Sequence, residues 1–335
     1  MSVSTVSQAG AIRRRILHPA TLISLGIAVL LLIVLARGVD VSFTDMARAI
    51  GNANPLLIVA AFLAYYVNFP MRGIRWRLLI ENAQAMADDP VPLPSKRAFS
   101  EIILLGWFVN AVAWLRMGDP YRAYLVSRQH ENQSYPRILG TVLAERVLDV
   151  VTFAAILLPI GALLWVDASG VTTTVIALTV VIGGGAIFLV VGMALFGQRA
   201  TARLPGSIRD WLERLRVGAL LSLSGRLWPI TILSVSGWVA EGMRLALVTW
   251  ALGLDVPLPV IAFVALAHNL ITAIPTTPGG LGVAEAGMVG LLLPWVALED
   301  AAVLTALDRS VTWFSVVLIG GVAIGWREGV RRGRY

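Results

Sequence analysis

Long apolar runs constrain this chain more than any other feature of its sequence. The hydrocarbon core of a bilayer needs about 20 apolar residues per helix, within a range of about 17–25. Only 14% of the 335 residues are charged, against roughly 25% in a typical soluble domain, so the chain is predicted to lie mostly in lipid. Runs of spanning length occur at 20–36, 55–71, 138–162, 172–197, 228–252 and 303–325.

Shorter apolar segments at 98–115, 258–274 and 286–298 complete the pattern. The sequence therefore predicts an all-α fold, a polytopic integral membrane helical bundle of about eight transmembrane helices with two re-entrant or broken elements. No stretch outside the spans is long enough to hold its own core, so we expect a single membrane domain over 1–335. The first run is expected to be a retained helix, because no small-residue cleavage site follows it.

Positive charges predict the orientation of the bundle, because Lys and Arg concentrate in cytoplasmic loops. The loops on one side hold only two cations, Arg37 and Arg48. Both termini are therefore expected on the cytoplasmic side of a bacterial-type inner membrane, and the net charge of +7 needs no nucleic-acid partner. The other side holds 22 of the 27 cations, in the stretches 1–19, 72–97, 116–137, 198–227 and 327–335.

Two apolar segments are expected to break at membrane depth. Segment 98–115 lies between two cytoplasmic stretches, so it must enter and leave by one face as a re-entrant hairpin. Residues 275–282 hold two prolines and three glycines, which cannot continue a helix. A pair of interrupted apolar segments in comparable positions is the usual sign of a transport site.

The longest cytoplasmic loop, 198–227, carries an amphipathic pattern. Ser207 can cap a helix at its amino end, and we expect that helix to lie on the membrane surface. Its apolar face would consist of Ile208, Trp211, Leu212 and Leu215.

Motifs for catalysis or cofactor binding are absent from the sequence. The chain has no cysteine and three widely separated histidines, so it offers no spacing for a metal site. It contains no P-loop, no G-x-S-x-G and no H-E-x-x-H. We therefore predict no cofactor and no enzymatic activity.

Ionisable residues inside the spans form the first candidate site. Each costs about 2.5–3.5 kcal/mol at the bilayer centre on insertion scales, so such groups should face the bundle interior and pair. Glu241 and Arg244 share one helix face at i,i+3 spacing and are predicted to neutralise each other. The pairs either fix helix register or form an internal polar pathway. The remaining charges are Glu145, Arg146, Asp149, Asp308 and Arg309.

The glycine-rich break forms the second candidate site. A helix that restarts near Leu281 would aim free N–H groups and its positive dipole end into the break, which suits an anionic headgroup. Glu285 would cap that helix or meet an amine or an arginine. Gly118 and Asp119, with Arg122, would close the re-entrant element in a similar way, and a plain tight turn is the alternative at the glycine-rich break.

Four segments in order resemble a known family. They are RGIRWRLLI at 72–80, MGDPYRAYLVSR at 117–128, ERVLDVV at 145–151 and PTTPGGLGVAEAG at 275–287. Together they resemble the flippase-like membrane domain of the lysylphosphatidylglycerol synthases (multiple peptide resistance factor). No soluble synthase domain accompanies these segments, so the resemblance implies no transferase activity.

The resemblance implies an all-helical bundle with paired re-entrant elements that moves a lipid between leaflets. The buried charges add Glu241 and Arg244 as a midplane gate. The lipid-binding or translocation residues that the resemblance implies are Gly118, Asp119, Arg122, Glu145, Arg146, Asp149, Gly279, Gly280, Gly282, Glu285 and Arg309.

The expected function is therefore translocation of a phospholipid or a polyprenyl-type lipid, held by its anionic or polyprenyl headgroup. One alternative is a membrane-embedded, glycosyltransferase-like enzyme that uses Glu145 and Asp149. The other is a non-transporting accessory subunit, with envelope-lipid biosynthesis enzymes as partners. Gly321 and Gly325 form a small-xxx-small pair that favours packing within the bundle and leaves a homodimer open.

Overall fold

A computed structural model describes residues 43–85, 90–130, 133–164, 170–202, 204–273 and 277–332. Within these ranges the regular structure is entirely helical. The α-helices are α1 (Phe43–Asn52), α2 (Pro55–Tyr66), α3 (Asn68–Gln84), α4 (Lys96–Val112), α5 (Gly118–Ser127), α6 (Tyr135–Leu163), α7 (Gly170–Thr201), α8 (Gly206–Ser222), α9 (Trp228–Ala251), α10 (Leu258–Ala273), α11 (Val283–Leu292), α12 (Leu298–Arg309) and α13 (Ser315–Arg332).

The described residues contain five helical stretches that are long and apolar enough to cross a bilayer. Two shorter apolar helices, Leu258–Thr272 and Val283–Leu292, accompany them. The all-α, polytopic membrane fold is thus confirmed. The predicted tail 1–19 and first span 20–36 lie outside the described residues, and a single domain over 1–335 stays a prediction. The five stretches are Pro55–Gln84, Tyr135–Leu163, Thr173–Gly197, Trp228–Ala251 and Leu298–Ile324.

The second predicted span is longer than its apolar run. The prediction that a cytoplasmic loop begins at residue 72 is wrong, because α3 continues to Gln84. Arg72 and Arg75 are 7% and 2% exposed and lie inside the protein. The helix continues past them because α6 carboxylates lie at 2.5 and 2.7 Å from Arg75 and at 3.7 Å from Arg72, which lowers the cost of burying these charges.

The first broken element is a hairpin of α4 and α5. Gly118 donates its N–H to Oδ1 of Asn110 at 2.8 Å, and Gly106 further back along α4 lies against Arg122 further along α5. The two helices are therefore antiparallel. The prediction that 98–115 contains both limbs is wrong, since α4 alone fills 96–112 and the returning limb is 118–127.

Irregular backbone joins the two limbs of this hairpin. Ala113 is extended (φ −105°, ψ 155°), and a short 3₁₀ turn follows at Trp114–Arg116. Leu115 and Arg116 both have positive φ, at 57° and 51°, a region that costs non-glycine residues roughly 1–2 kcal/mol. Packing around the tip must therefore hold this turn in place.

The second broken element is a hairpin of α10 and α11. Its tip contains the 3₁₀ turn Pro278–Gly280, and α11 restarts at Val283, close to the predicted position. Glycine is required here because Gly279, Gly280 and Gly282 all have positive φ. Residues 274–276, including Pro275, lie outside the described residues.

Helix α8 matches the predicted amphipathic segment, with one correction. The residue before its first turn is Pro205, and no side chain caps it, so the prediction of a Ser207 cap is wrong. Ile208 and Trp211 are exposed, as expected for contact with a membrane surface. Arg216 donates two hydrogen bonds to Glu213, and this interaction raises the pKa of Arg216.

The carboxyl-terminal helices pack closely against the first hairpin. Gly320 and Gly321 on α13 both lie against the ring of Phe108 on α4, so Gly321 serves packing within the bundle. Helix α13 continues to Arg332, so most of the predicted tail 327–335 is helical. Between α12 and α13 the chain forms a wider π-helical turn at Ser310–Phe314.

Candidate functional site

A cavity of about 440 Å³ lies between the two broken hairpins. Helices α2, α3, α6, α9 and α12 and the π-helical turn complete its walls. Five arginines and three carboxylates line it, namely Arg72, Arg116, Arg146, Arg244, Arg309, Asp119, Asp149 and Glu241. Their charged partners behind the wall are Arg75, Arg122, Glu145, Asp308 and Glu285. The whole network of seven arginines and six carboxylates has one positive charge in excess.

Two carboxylates on α6 are held by arginines from neighbouring helices. Glu145 and Asp149 are four residues apart, so they share one helix face. Arg75 on α3 reaches both, with Nη2 at 2.7 Å from Glu145 Oε1 and Nη1 at 2.5 Å from Asp149 Oδ1. Arg122 on α5 holds the second oxygen of Glu145 at 2.6 Å. These contacts tie three helices together behind the cavity wall.

Arg146 joins α6 to the amino end of α5. Its Nε and Nη2 donate to the two oxygens of Asp119 at 3.0 and 2.6 Å. This two-point geometry is the strongest form of an arginine–carboxylate contact. Arg146 Nη1 also lies 3.3 Å from Asp149, so Arg146 pairs with one carboxylate on α5 and with another on its own helix.

Arg72 and Arg116 are the cavity cations with the weakest carboxylate contacts. Arg72 lies between the rings of Trp107 and Trp238, at 5.1 and 5.5 Å from their centroids, a favourable cation–π arrangement. Its approach to Asp149 is 3.7 Å, and that carboxylate already has two closer arginines. Arg116 donates instead to the backbone carbonyl of Thr272 at 3.3 Å. These two guanidinium groups account for the excess positive charge.

Arg244 is shared by two carboxylates. Its Nε donates to Glu241 Oε2 at 3.2 Å, which confirms the predicted pair. Its Nη1 also contacts Asp308 Oδ1 on α12. All three side chains are nearly fully buried, at no more than 3% exposure.

The tip of the second hairpin is held by Arg309. Glu285 accepts a hydrogen bond from the backbone N–H of Gly282 at 2.5 Å and another from Arg309 Nε at 2.5 Å. Arg309 Nη2 donates to the carbonyl oxygen of Gly279 at 2.8 Å. Glu285 therefore both caps α11 and pairs with an arginine, the two roles that the sequence left open.

The two hairpin tips also contact each other. Trp313, in the π-helical turn, donates from Nε1 to the carbonyl oxygen of Ala111 at 3.3 Å, and its indole lies directly against Gly279. The bond from Arg116 to Thr272 crosses between the same hairpins. The tips therefore form one interlocked structure at the cavity.

The structure brings the predicted residues to one region, although in two layers. The cavity surface carries Asp119, Arg146, Asp149, Glu241, Arg244, Gly279, Gly280 and Arg309. The supporting layer consists of Gly118, Arg122, Glu145, Gly282 and Glu285, which pack against or hydrogen-bond those residues and the tips.

Sequence reasoning missed Arg72, Arg75 and Arg116 as interior residues, because it assigned them to loops. A usable signal was present for the first two. Arg72 and Arg75 are three positions apart and therefore lie on one helix face, although the neighbouring Pro70 and Gly73 favoured a loop. Asp308 was expected to need a partner, but its contact with Arg244 could not be read from spacing.

The arrangement suits an anion better than a metal ion or a reacting group. The described residues contain no group of three His, Cys, Asp or Glu side chains placed to hold a metal. Among the lining carboxylates, Asp119, Asp149 and Glu241 each contact at least one arginine. A phosphate or carboxylate can instead meet the arginines that lack a close carboxylate, and guanidinium groups bind such oxyanions well.

Comparisons with known proteins agree with this architecture. Residues 21–320 match the family described as the lysylphosphatidylglycerol synthase TM region. A relative from Methanocaldococcus jannaschii, named UPF0104 membrane protein MJ1078, is 30% identical over 228 residues, covering 64% of this chain and 92% of that protein. A UPF0104 membrane protein of Methanothermobacter thermautotrophicus is 26% identical over 333 residues, covering 91% of this chain and 94% of that protein.

A third relative carries a different name. The glycosyltransferase AglD of Haloferax volcanii is 27% identical over 359 aligned residues, covering 93% of this chain but only 55% of that protein. The family match, in contrast, extends over most of this chain and includes both broken hairpins and every charged residue of the cavity. The chain is a multi-pass membrane protein that belongs to the family of the lysylphosphatidylglycerol synthase TM region.

Proposed function

We propose that this protein binds a lipid with an anionic headgroup in its cavity and moves that lipid between the leaflets of the inner membrane. The observation that carries the proposal is the excess of positive charge in a cavity between two broken hairpins, with Arg72 and Arg116 poorly matched by carboxylates. A phosphate bound there would receive charge-assisted hydrogen bonds, which are about twice as strong as neutral ones.

The position of the cavity supports movement rather than simple storage. Interrupted helices at membrane depth form the substrate sites of many transporters, because irregular backbone is tolerated where it lines a cavity. Both hairpins of this protein have their tips at the cavity. Phospholipids and polyprenyl phosphates both carry a phosphate group that these arginines would bind, so the proposal covers both classes of lipid.

A vesicle assay tests this function. Purified protein is reconstituted into phosphatidylcholine vesicles with a trace of fluorescent phosphatidylglycerol, fluorescent polyprenyl phosphate or fluorescent phosphatidylcholine, and an impermeant reagent bleaches the outer leaflet. We expect the protein to make nearly all of at least one anionic probe accessible, while about half of the phosphatidylcholine probe stays protected. Protection of both anionic probes to the same extent as in protein-free vesicles would contradict the proposal.

Arg72→Gln is the most informative variant, because it removes one positive charge from the cavity without leaving a carboxylate unpaired. Asp149 keeps Arg75 and Arg146 in this variant. A hydrogen bond to a charged group contributes roughly 1.5–3 kcal/mol, so we expect about a tenfold or greater loss of anionic lipid movement. Arg77→Gln is the matched control on the same helix, because Arg77 pairs with Glu81 at the surface and should move lipid at the wild-type rate.

The enzyme and accessory-subunit alternatives make different predictions in the same experiments. An enzyme that used Glu145 and Asp149 would need at least one of them free to accept a proton, whereas Arg75 contacts both. An accessory subunit would show no lipid movement in purified form, and Arg72→Gln would have no effect on it.

A further inference from the structure

A single guanidinium balances two buried carboxylates next to the cavity. Arg244 contacts Glu241 on its own helix α9 and Asp308 on α12. The residues are 1%, 2% and 0% exposed in that order. With both acids ionised, this group of three carries one negative charge in an environment where an unbalanced charge is costly.

The surrounding helices offer few other charges to this group. Tyr65 on α2 donates its hydroxyl hydrogen to the carbonyl oxygen of Thr312 and faces Glu241 and Arg244. His268 on α10 faces Arg244 and Arg309. Arg309 itself is held by Glu285 of α11. None of these groups supplies a second full positive charge to the two acids.

The remaining packed helices contribute one relevant cation. Arg72 on α3 lines the same cavity as Glu241 and lies against the ring of Trp238, one helical turn before Glu241 on α9. The charged residue of α1 with a described side chain is Arg48, which is exposed at the protein surface. Arg72 therefore adds positive potential at Glu241, and it is also a proposed phosphate ligand.

Apart from the two atoms of the Arg244–Asp308 ion pair, three buried polar atoms near this group lack a hydrogen-bond partner within the described residues. They are Oε1 of Glu241, Oδ2 of Asp308 and Nδ1 of His268. An unpaired buried acceptor costs roughly 1–3 kcal/mol, and a proton on one carboxyl oxygen gives the pair a hydrogen to donate. Glu241 and His268 both line the cavity, so a proton can reach the pair from there.

We propose that Glu241 and Asp308 together bind one proton that crosses the membrane with each anionic lipid headgroup. This inference rests on the proposed function. A phosphate at Arg72 takes up the positive charge that Glu241 would otherwise share, so lipid binding and proton binding favour each other. Because the coupling is thermodynamic, it acts equally in both directions. The proton comes from water in the cavity, is shared by the two carboxylates, and leaves when the phosphate leaves.

The charges balance in this scheme. One headgroup with a single negative charge and one proton enter together, so no net charge crosses the membrane. A pH difference should then drive the lipid, and a membrane potential alone should not. For one proton per lipid, one pH unit shifts the lipid ratio between leaflets by about tenfold.

The test uses the full-length protein in phosphatidylcholine vesicles, with whichever trace anionic probe it moves and a pH difference of one unit across the membrane. For polyprenyl phosphate, whose second phosphate pKa is about 6, both sides are kept below that pH so that its headgroup carries one negative charge. We expect the probe to accumulate about tenfold in the leaflet that faces the alkaline side. A potassium diffusion potential at equal pH should leave the probe evenly distributed. Replacing sodium by N-methylglucamine should change neither result.

Asp308→Asn is the decisive variant, because it is close in shape to a protonated Asp308 and leaves Arg244 paired with Glu241. We expect it to fold and to equilibrate the probe, but to give equal amounts in the two leaflets at any pH difference. Asp300→Asn is the matched control on the same helix α12, where Asp300 is exposed, and it should accumulate the probe as the wild type does.

An independent readout is proton uptake on binding. Titration of the detergent-solubilised protein with short-chain phosphatidylglycerol, in buffers of different ionisation enthalpy, should show uptake of up to one proton per lipid. Asp308→Asn should show much less. If the binding heat is too small for calorimetry, a pH indicator in weakly buffered solution reports the same uptake.

Several outcomes would overturn the inference while leaving the proposed function intact. One is lipid movement in the wild type that ignores the pH difference. Others are accumulation driven by sodium, or an Asp308→Asn variant that still accumulates the probe. If the wild type moves no anionic probe under any gradient, the proposed function itself fails, and the proton inference fails with it.

Discussion

At the scale of single residues, Arg244 is shared between two buried carboxylates. The spacing of Glu241 and Arg244 within one helix was enough to predict their contact. Asp308 comes from a helix more than sixty positions away in sequence, so no local pattern could reveal that it contacts the same guanidinium. The predicted pair is therefore a group of three.

Arg244→Gln should be the most destabilising single change in this group. It leaves two carboxylates buried without a cation, and breaking a buried pair costs on the order of 3–5 kcal/mol. Thermal unfolding in detergent measures the loss. Arg77→Gln removes a partly exposed pair and should cost about 0–1 kcal/mol. Equal stability of the two variants would show that the Arg244 contacts contribute nothing.

Combined variants test whether Arg244 balances Glu241 alone or both Glu241 and Asp308. Glu241→Gln with Arg244→Gln still leaves Asp308 unbalanced, so this double variant should stay unstable. Adding Asp308→Asn removes the last charge and should restore much of the lost stability, again followed by thermal unfolding. Full recovery in the double variant would mean that Asp308 does not depend on Arg244.

At the scale of structural elements, the two hairpins break for different reasons. The second break has its own sequence signal, since glycines supply the positive φ angles at Gly279 and Gly280. The first break contains no glycine between Ala113 and Met117, and contacts with the other hairpin stabilise its irregular backbone. Sequence reasoning therefore located the second tip well and placed the first hairpin's limbs wrongly.

Alanine at Gly279 should disrupt the tip more than alanine at Gly280. Both positions have positive φ, so each substitution costs roughly 1–2 kcal/mol in backbone strain. A Cβ at Gly279 would also overlap the Trp313 indole, whereas at Gly280 the nearest atom, a methyl carbon of Thr272, is 3.3 Å away. The melting temperature of Gly279→Ala should be lower than that of Gly280→Ala. Gly242→Ala, which has open space around it, should melt as the wild type does.

At the scale of the whole molecule, some of the cations that were predicted to lie in cytoplasmic loops lie inside the protein. Four of the 22 cations that sequence reasoning placed in cytoplasmic loops lie at the cavity or behind it, namely Arg72, Arg75, Arg116 and Arg122. Their burial follows from partners on distant helices, which a charge count cannot see. The other 18 predicted cytoplasmic cations still outnumber the two that are predicted on the opposite side.

The predicted orientation can be tested by reporter fusions after residues 85, 127, 212 and 335. We expect all four to report a cytoplasmic location, because the excess cations mark that side and the α4–α5 hairpin returns to the face it entered. An activity-based pair of reporters, one active on each side of the membrane, gives a positive signal in either case. A periplasmic location at 127 with a cytoplasmic location at 85 would contradict the hairpin.

The contact between the two tips also bears on electrical leakage. A passage lined by surplus arginine would conduct chloride if it were open at both ends at once, and the cell would lose its ion gradients through it. Trp313 lies against Gly279 and donates to Ala111 of the first hairpin, so one side chain joins the two tips. On the proposed function, a lipid can cross only if its headgroup and chains replace these contacts as it passes. The lipid itself would then block the passage of ions.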